Sequence, residues 1–254
     1  MLPPERQSII LEHLAAQGSV RTIELASALE VTDETIRKDF EALEIRGKLQ
    51  RIHGGAIKPD PSRVELTLTE RQMVNRESKR AIARAAAERI QPNETIFIDA
   101  SSTALTLIEF LPDFPITILT NAHNVVTALA GREGDIFCTG GLYEQRSRSY
   151  IGLSAAAALQ KHNIHRMFFS GSAFDLDRGV SETNSRQASF KERVIAYSEE
   201  VCLLADSSKL GQRASFFFAQ PMEISTLITN DDADGSFLQS AASLNIQVVQ
   251  APAL

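Results

Sequence analysis

The stretch VTDETIRKDFEALEIRGKLQRIHGG, residues 31–55, decides how the first part of the chain folds. Thr32 is a good helix N-cap. Asp33 and Glu34 follow in the first turn, where carboxylates favour the helix dipole. Ile36, Phe40 and Leu43 fall at i, i+4 and i+7, so one stripe packs inward. Gly47 is the expected stop. After it LQRI alternates apolar and polar as a short strand should, and His53-Gly54-Gly55 turns the chain back.

Upstream, residues 6–16 carry Ile9, Ile10 and Leu14 at helical spacing, with Gly18 as the end. Thr22 reads as the cap of a second short helix with Ile23, Ala26 and Leu29 on one face. Three helices and a hairpin make the winged variant of the helix-turn-helix. The buried stripe of the third helix leaves Thr35, Arg37, Lys38 and Glu41 outward. Arg37 and Lys38 stand where a recognition helix presents side chains to base edges or phosphates, and Thr32 and Thr35 offer hydroxyls. The wing adds Arg46, Lys48, Arg51 and Lys58, with His53 beside them and no acid between 46 and 58. Singly, each charge is as well explained by a solvated helix face; together they favour DNA.

These residues closely resemble the N-terminal domain of the DeoR family of bacterial transcriptional regulators, most tellingly in VTDETIRKDFEALEIRGKL and the wing ending RIHGGA. The resemblance implies a sequence-specific regulator, more often a repressor than an activator, that responds to a sugar phosphate. It names Thr32, Thr35, Arg37, Lys38, Lys48, Arg51 and His53 as DNA-binding candidates.

The chain has 254 residues, 43% hydrophobic and 23% charged, with a formal net charge of -6. That acidity argues against nonspecific coating of nucleic acid but leaves room for a local basic patch. No apolar run approaches the roughly 20 residues of a membrane span, and no secretory signal is evident, so a cytoplasmic location is expected. Cys138 and Cys202 lie in apolar runs and read as buried free thiols.

After the winged helix (1–58), KPDPSRVEL reads as the start of a linker (59–74), followed by an effector domain (75–254). Residues 69–90 carry one long helical pattern. Its basic residues Arg71, Arg76, Lys79 and Arg80 read as a solvated face, with contact to a phosphate as the other reading. Beyond residue 95, TIFIDA, ITILTNA, DIFCTGG, RMFFSGSA, EVCLLADSS, ISTLITN and QVVQA read as strands, alternating with helices near 104–111, 124–130, 154–162, 187–198 and 236–244. This is an α/β fold with a mostly parallel, buried sheet.

Ligands in such sheets bind off the carboxyl ends of the strands. Those ends carry Asp99-Ala100-Ser101-Ser102-Thr103, Asn121, Gly140-Gly141, Asp175 and Asp206-Ser207-Ser208-Lys209. Capping and turn chemistry explain each alone; their recurrence at one sheet edge fits an anionic, hydroxylated ligand. Here too DASST, TNA, TGG, the GVSE turn and LADSSK resemble the DeoR sensor domain, whose fold is similar to that of ribose-5-phosphate isomerase. The resemblance implies that Asp99, Ser101, Ser102, Thr103 and Lys209 surround a sugar phosphate, with Asn121, Gly140, Gly141 and Asp175 around the same pocket. Where the family carries an acidic residue and then glycine, this chain has Ser172-Ala173.

The expected partners are operator DNA, a phosphorylated sugar and further copies of the chain, as homodimer or homotetramer. No cofactor, metal or catalytic residue is assigned. The alternative is a sugar-phosphate isomerase-like enzyme with an appended DNA-binding domain, for which Asp99, Asp175 and Lys209 would be the acid–base candidates. His162 and His165 have HxxH spacing without a carboxylate partner and do not read as metal ligands.

Overall fold

In the computed structural model, which describes residues 1–45, 48–58 and 66–253, helix α1 (Pro3–Gln17) opens on two prolines and closes on Gly18 at φ 77°. Glycine adopts that left-handed turn without a Cβ penalty. Strand β1 (Ser19–Arg21) leads into α2 (Thr22–Ala28) and then α3 (Asp33–Ile45). Thr22 is not the cap that its position suggested. It is the buried first residue of α2, and its amide donates to Gly54 O at 2.9 Å, tying the helix to the wing turn. Thr32 does cap α3, accepting from the Thr35 amide at 3.3 Å.

β2 (Gln50–Ile52) and β3 (Gly55–Ile57) form the expected antiparallel hairpin. β1 pairs with the other edge of β3, a third strand too short for a period-two pattern to reveal. The contact is so close that a Cβ on Gly55 would stand 2.1 Å from Val20 O. Ile10, Leu14, Val20, Ile36, Phe40, Leu43 and Leu49 fill this core. Beside it a buried Arg6–Asp39 ion pair links α1 to α3. Arg46, Gly47 and residues 59–65 of the expected linker lie outside the described residues.

The chain divides into two units, Met1–Glu65 and Leu66–Leu254. The second opens with α4 (Leu68–Met73) and α5 (Arg76–Ala87), where the pattern suggested one helix. The break falls at Asn75, φ 50°, a left-handed conformation that asparagine tolerates. Then come β4 (Thr95–Ile98), α6 (Ser102–Thr106), β5 (Thr117–Thr120), α7 (His123–Ala128) and β6 (Ile136–Cys138). A hairpin of β7 (Leu142–Glu144) and β8 (Ser149–Ile151) precedes α8 (Leu153–Ala157) and β9 (Ile164–Phe169). A second hairpin, β10 (Ala173–Asp175) and β11 (Gly179–Glu182), precedes α9 (Ser185–Ile195). The unit ends with β12 (Ser198–Leu204), β13 (Phe216–Ala219), β14 (Thr226–Asn230), α10 (Gly235–Ser243) and β15 (Gln247–Ala251).

All seven apolar runs marked in the sequence are strands of one parallel sheet, ordered β15-β14-β12-β9-β4-β5-β6. The runs are continuously apolar because both faces are covered. Ile96, Ile98, Phe168 and Leu204 pack against α5, while Phe97, Met167, Phe169 and Leu203 pack on the side of α9 and α10. From β4 the chain builds outward through β5 and β6, then returns to place β9 on the opposite side. The crevice where the winding reverses opens at the carboxyl ends of β4 and β9. β10, β11 and β13 form a small antiparallel sheet.

Candidate functional site

On the first unit, α3 and the wing enclose a concavity of about 560 Å³ lined by Arg37, Glu44, Arg51, Ile52 and His53, among others. Arg37 and Lys38 are exposed on α3, and Lys48, Arg51 and His53 are exposed on the wing. The wing is acid-free in sequence but not in space. Glu44 of α3 accepts from Arg51 Nε at 2.6 Å and from the Arg51 amide at 2.8 Å. That amide bond, with the adjacent guanidinium, holds the Glu44 carboxyl below its ordinary value against the upward push of burial. Arg37 faces Glu34 at 3.8 Å, and the Thr32 and Thr35 hydroxyls bond each other at 2.9 Å.

In the second unit, Asp99 is the first residue beyond β4 and is buried. Its Oδ1 accepts from the Ser101 amide at 2.9 Å and the Ser101 hydroxyl at 2.5 Å, and its Oδ2 faces Lys191 Nζ at 3.1 Å. Lys191, from α9, is only 4% exposed. Its Nζ also donates to Glu182 Oε1 at 2.5 Å and to Ser170 O at 2.5 Å. Lys209, in the turn after β12, donates from Nζ to Ser170 Oγ at 2.8 Å and Gly171 O at 2.9 Å, just beyond β9. Two lysines thus converge on the crevice.

Burial lowers the Lys209 ammonium below its ordinary value more than Asp206 and Glu182 raise it. Burial acts likewise on Lys191, but Glu182 and Asp99 outweigh it and the ammonium is held above its usual value. For Glu182 burial works upward, and Lys191 with the Ser172 hydroxyl brings the carboxyl below its usual range. Ser172, the departure from the family pattern, therefore has a definite use: its Oγ donates to Glu182 Oε2 at 2.7 Å.

Ser101 also caps α6, accepting from the Ala104 amide at 3.2 Å. Ser102 and Thr103 are buried beside it. At the next strand end, Asn121 Nδ2 donates to Tyr150 O at 3.1 Å. Thr103 Oγ1 and Asn121 Oδ1 are buried with no hydrogen-bond partner among the described residues. Gly140 and Gly141, beyond β6, hold φ 59° and 112°. A Cβ on Gly141 would lie 2.9 Å from Ala155 Cβ, so close packing on α8 accounts for that glycine. Asp175 stands apart from the lysines. It accepts from the Asp177 and Arg178 amides at 3.1 and 2.9 Å, closing the β10–β11 turn, and pairs with Arg213 at 2.8 Å.

Nothing in the sequence pattern marked Lys191, and Glu182 stood out only in the GVSE turn near Asp175. Lys191 nonetheless sits on the inward stripe of α9 with Gln187 and Val194, a charge at i+4 where an apolar residue belongs. Lys79 is the same signal on α5, aligned with Ile82, Ala83 and Ala86 and 4% exposed. The solvated-face reading of this segment fails for Lys79; Arg80 pairs with Glu109 at 3.4 Å.

The two histidines have structural partners: Thr95 N donates to His165 Nδ1 at 3.0 Å, and the His162 ring lies 4.6 Å from that of Phe137. Both cysteines are free. Cys202 is buried, which with Glu200 pushes its thiol up to about 12, whereas Cys138, on the edge strand β6, is only half-buried. Among the described residues no helix is long and apolar enough to cross a membrane, and no group of three or more His, Cys, Asp or Glu is placed to hold a metal ion.

Residues 6–62 match the profile described as the DeoR-like helix-turn-helix domain, and residues 74–231 the profile described as the DeoR C terminal sensor domain. The HTH-type transcriptional regulator YulB of Bacillus subtilis (strain 168) is 35% identical over 99% of this chain and 98% of its own length. The L-fucose operon activator of Haemophilus influenzae is 32% identical over 89% of this chain and 91% of its own. Among solved structures, ribose 5 phosphate isomerase A from Neisseria gonorrhoeae aligns over 53% of each chain at 19% identity and TM-score 0.40. With both domain profiles matched in order and a relative aligned over nearly its whole length, the chain belongs to the DeoR family of helix-turn-helix transcriptional regulators.

Proposed function

We propose that this regulator represses a carbohydrate-metabolism operon from the cytoplasm and is controlled by a phosphorylated sugar held in the crevice between β4 and β9. The observation that carries the reading is the pair of ammonium groups of Lys191 and Lys209 at the winding reversal, together with the unpartnered Thr103 Oγ1 and Asn121 Oδ1 beyond β4 and β5. A phosphate suits the cations, and sugar hydroxyls suit the orphaned oxygens. Asp99, Ser101, Ser102, Thr103, Asn121 and Lys209 are the effector residues we assign, with Gly140 and Gly141 shaping the rim; Asp175 acts through its turn.

Sensing is favoured over turnover because the crevice carboxylates are already engaged. Asp99 is committed to Ser101 and Lys191, and Glu182 is held below its usual range, whereas a general base works best with its pKa near the working pH. On the other unit, Thr32, Thr35, Arg37 and Lys38 would meet the major groove, and Lys48, Arg51 and His53 the flanking backbone. One winged helix buries too little surface for tight specific binding, so two or four copies act on repeated half-sites. Effector binding shifts the population competent for DNA.

The test is binding of the purified protein to DNA upstream of its own gene, with and without pentose and hexose monophosphates. The same mixtures are assayed for product. Effector-dependent release without product supports the proposal; turnover at ordinary enzymatic rates, or no response to any monophosphate, overturns it.

A further inference from the structure

One face of α9 is turned to solvent with its charges unspent. With about 3.6 residues per turn, the buried arc of this helix holds Gln187, Lys191 and Val194, and Ser189 falls at the middle of the opposite arc. Arg186 and Arg193 stand on one side of Ser189 and Glu192 on the other, all four exposed. Among the described residues none of the three charged side chains has an ion pair or hydrogen bond.

The ground on either side of the helix matches these charges. On the arginine side α9 borders a groove of about 600 Å³ walled by Leu142, Ile151, Leu153 and Phe190, with no carboxylate among its described lining residues. Leu142 is 57% exposed and Leu153, at the start of α8, is 72% exposed. On the glutamate side a hollow of about 510 Å³ runs beside β13, where Met222 and Glu223 join Glu192. Met222 is 81% exposed. The cation of that hollow, Arg178, is engaged by the Phe217 ring, 4.0 Å from its centroid. One flank is therefore apolar and basic, the other apolar and acidic. A single exposed apolar side chain needs no explanation, but three large ones ranged about one charged helix face mark an interaction surface.

A second copy of this chain fits both flanks at once. A two-fold axis running along α9 exchanges them, so the basic groove of each copy meets the acidic flank of the other and every contact is made twice. The small Ser189 side chain at the centre lets the two helix axes approach closely. We propose that the outward face of α9 is a self-association surface, on which two copies lay α9 beside α9 in the same direction, Arg193 of one against Glu192 of the other and Met222 against the Leu142–Leu153 groove. The inference rests on the reading that the chain acts as more than one copy, and adds where the copies meet. The inward face of the same helix carries Lys191 to Asp99 and Glu182, so crevice and interface share one element.

Sedimentation equilibrium of the full chain tests this. Wild type is expected to associate. Arg193→Glu and Glu192→Arg should each weaken association about 10- to 100-fold, because each places like charges together twice across the axis. The double variant restores opposite charges and should regain most of the loss. Leu153→Asp, at an exposed position where circular dichroism should show an unchanged fold, should also weaken association. A monomeric wild type defeats the surface together with the reading that copies act in concert. An associating wild type matched by Arg193→Glu and Leu153→Asp overturns the surface alone. A double variant as weak as either single overturns the two-fold pairing.

Discussion

Arg51 of the wing folds back on Glu44 of α3, with its Nε 2.6 Å from Oε2 and its amide 2.8 Å from Oε1. The wing cation thus meets a carboxylate where a DNA complex would supply a phosphate, and the two compete. Glu44→Ala should release Arg51 and raise affinity for random-sequence DNA several-fold at low salt. The slope of log affinity against log salt should steepen by about one phosphate contact. Fluorescence anisotropy at several salt concentrations reads both. An unchanged slope would mean that Arg51 does not reach the backbone.

Arg37→Ala should weaken specific operator binding about 10- to 100-fold, the loss expected of one good base contact. The Arg37–Glu34 pair is exposed at 3.8 Å, so thermal stability should hardly move. Gel shifts against operator and scrambled DNA make the comparison. Equal losses on both would assign Arg37 to the phosphates.

Lys191→Met leaves Asp99 and Glu182 buried without their cation and should cost about 3–5 kcal/mol of stability. Adding Glu182→Gln should recover part of that loss, because the two sites share one interaction. Urea unfolding of the single and double variants measures the coupling; strictly additive losses would contradict the pairing.

Lys79 gives a pH signature. Burial, together with Lys209 and Arg71 and against the pull of Asp206, lowers its ammonium from 10.5 to about 8. In that window the unfolded chain binds a proton that the folded chain does not, so stability rises as pH climbs from about 8 towards 10.5. The rise would approach about 3 kcal/mol if Lys79 titrated alone. Urea midpoints of wild type and Lys79→Met across this range should converge as pH falls and separate as it rises; parallel curves would refute the assignment.

Much of the architecture was legible because it is local. The stripe Ile36, Phe40, Leu43 needs only a helical period, and all three are buried as that period requires. The seven core strands show as unbroken apolar runs because both faces of each are covered. The smaller antiparallel strands of the second unit escaped notice: three residues such as Ala173–Asp175 are too few to carry a period. The single helix read across 69–90 failed at Asn75, whose left-handed backbone is held by Asp206 and Ser208, far along the chain.

The sequence by itself determined the helix-turn-helix with its wing and the parallel sheet, and it marked the strand ends where polar residues recur. Only the tertiary structure decided which charges are free and which are taken. Arg51 looked available and is held by Glu44; Lys79 looked solvated and is buried, as is Lys191, which no pattern marked. Periodicity is a property of neighbouring residues, whereas ion pairing and desolvation depend on distances in space and on loss of water, which are settled only when remote segments pack together.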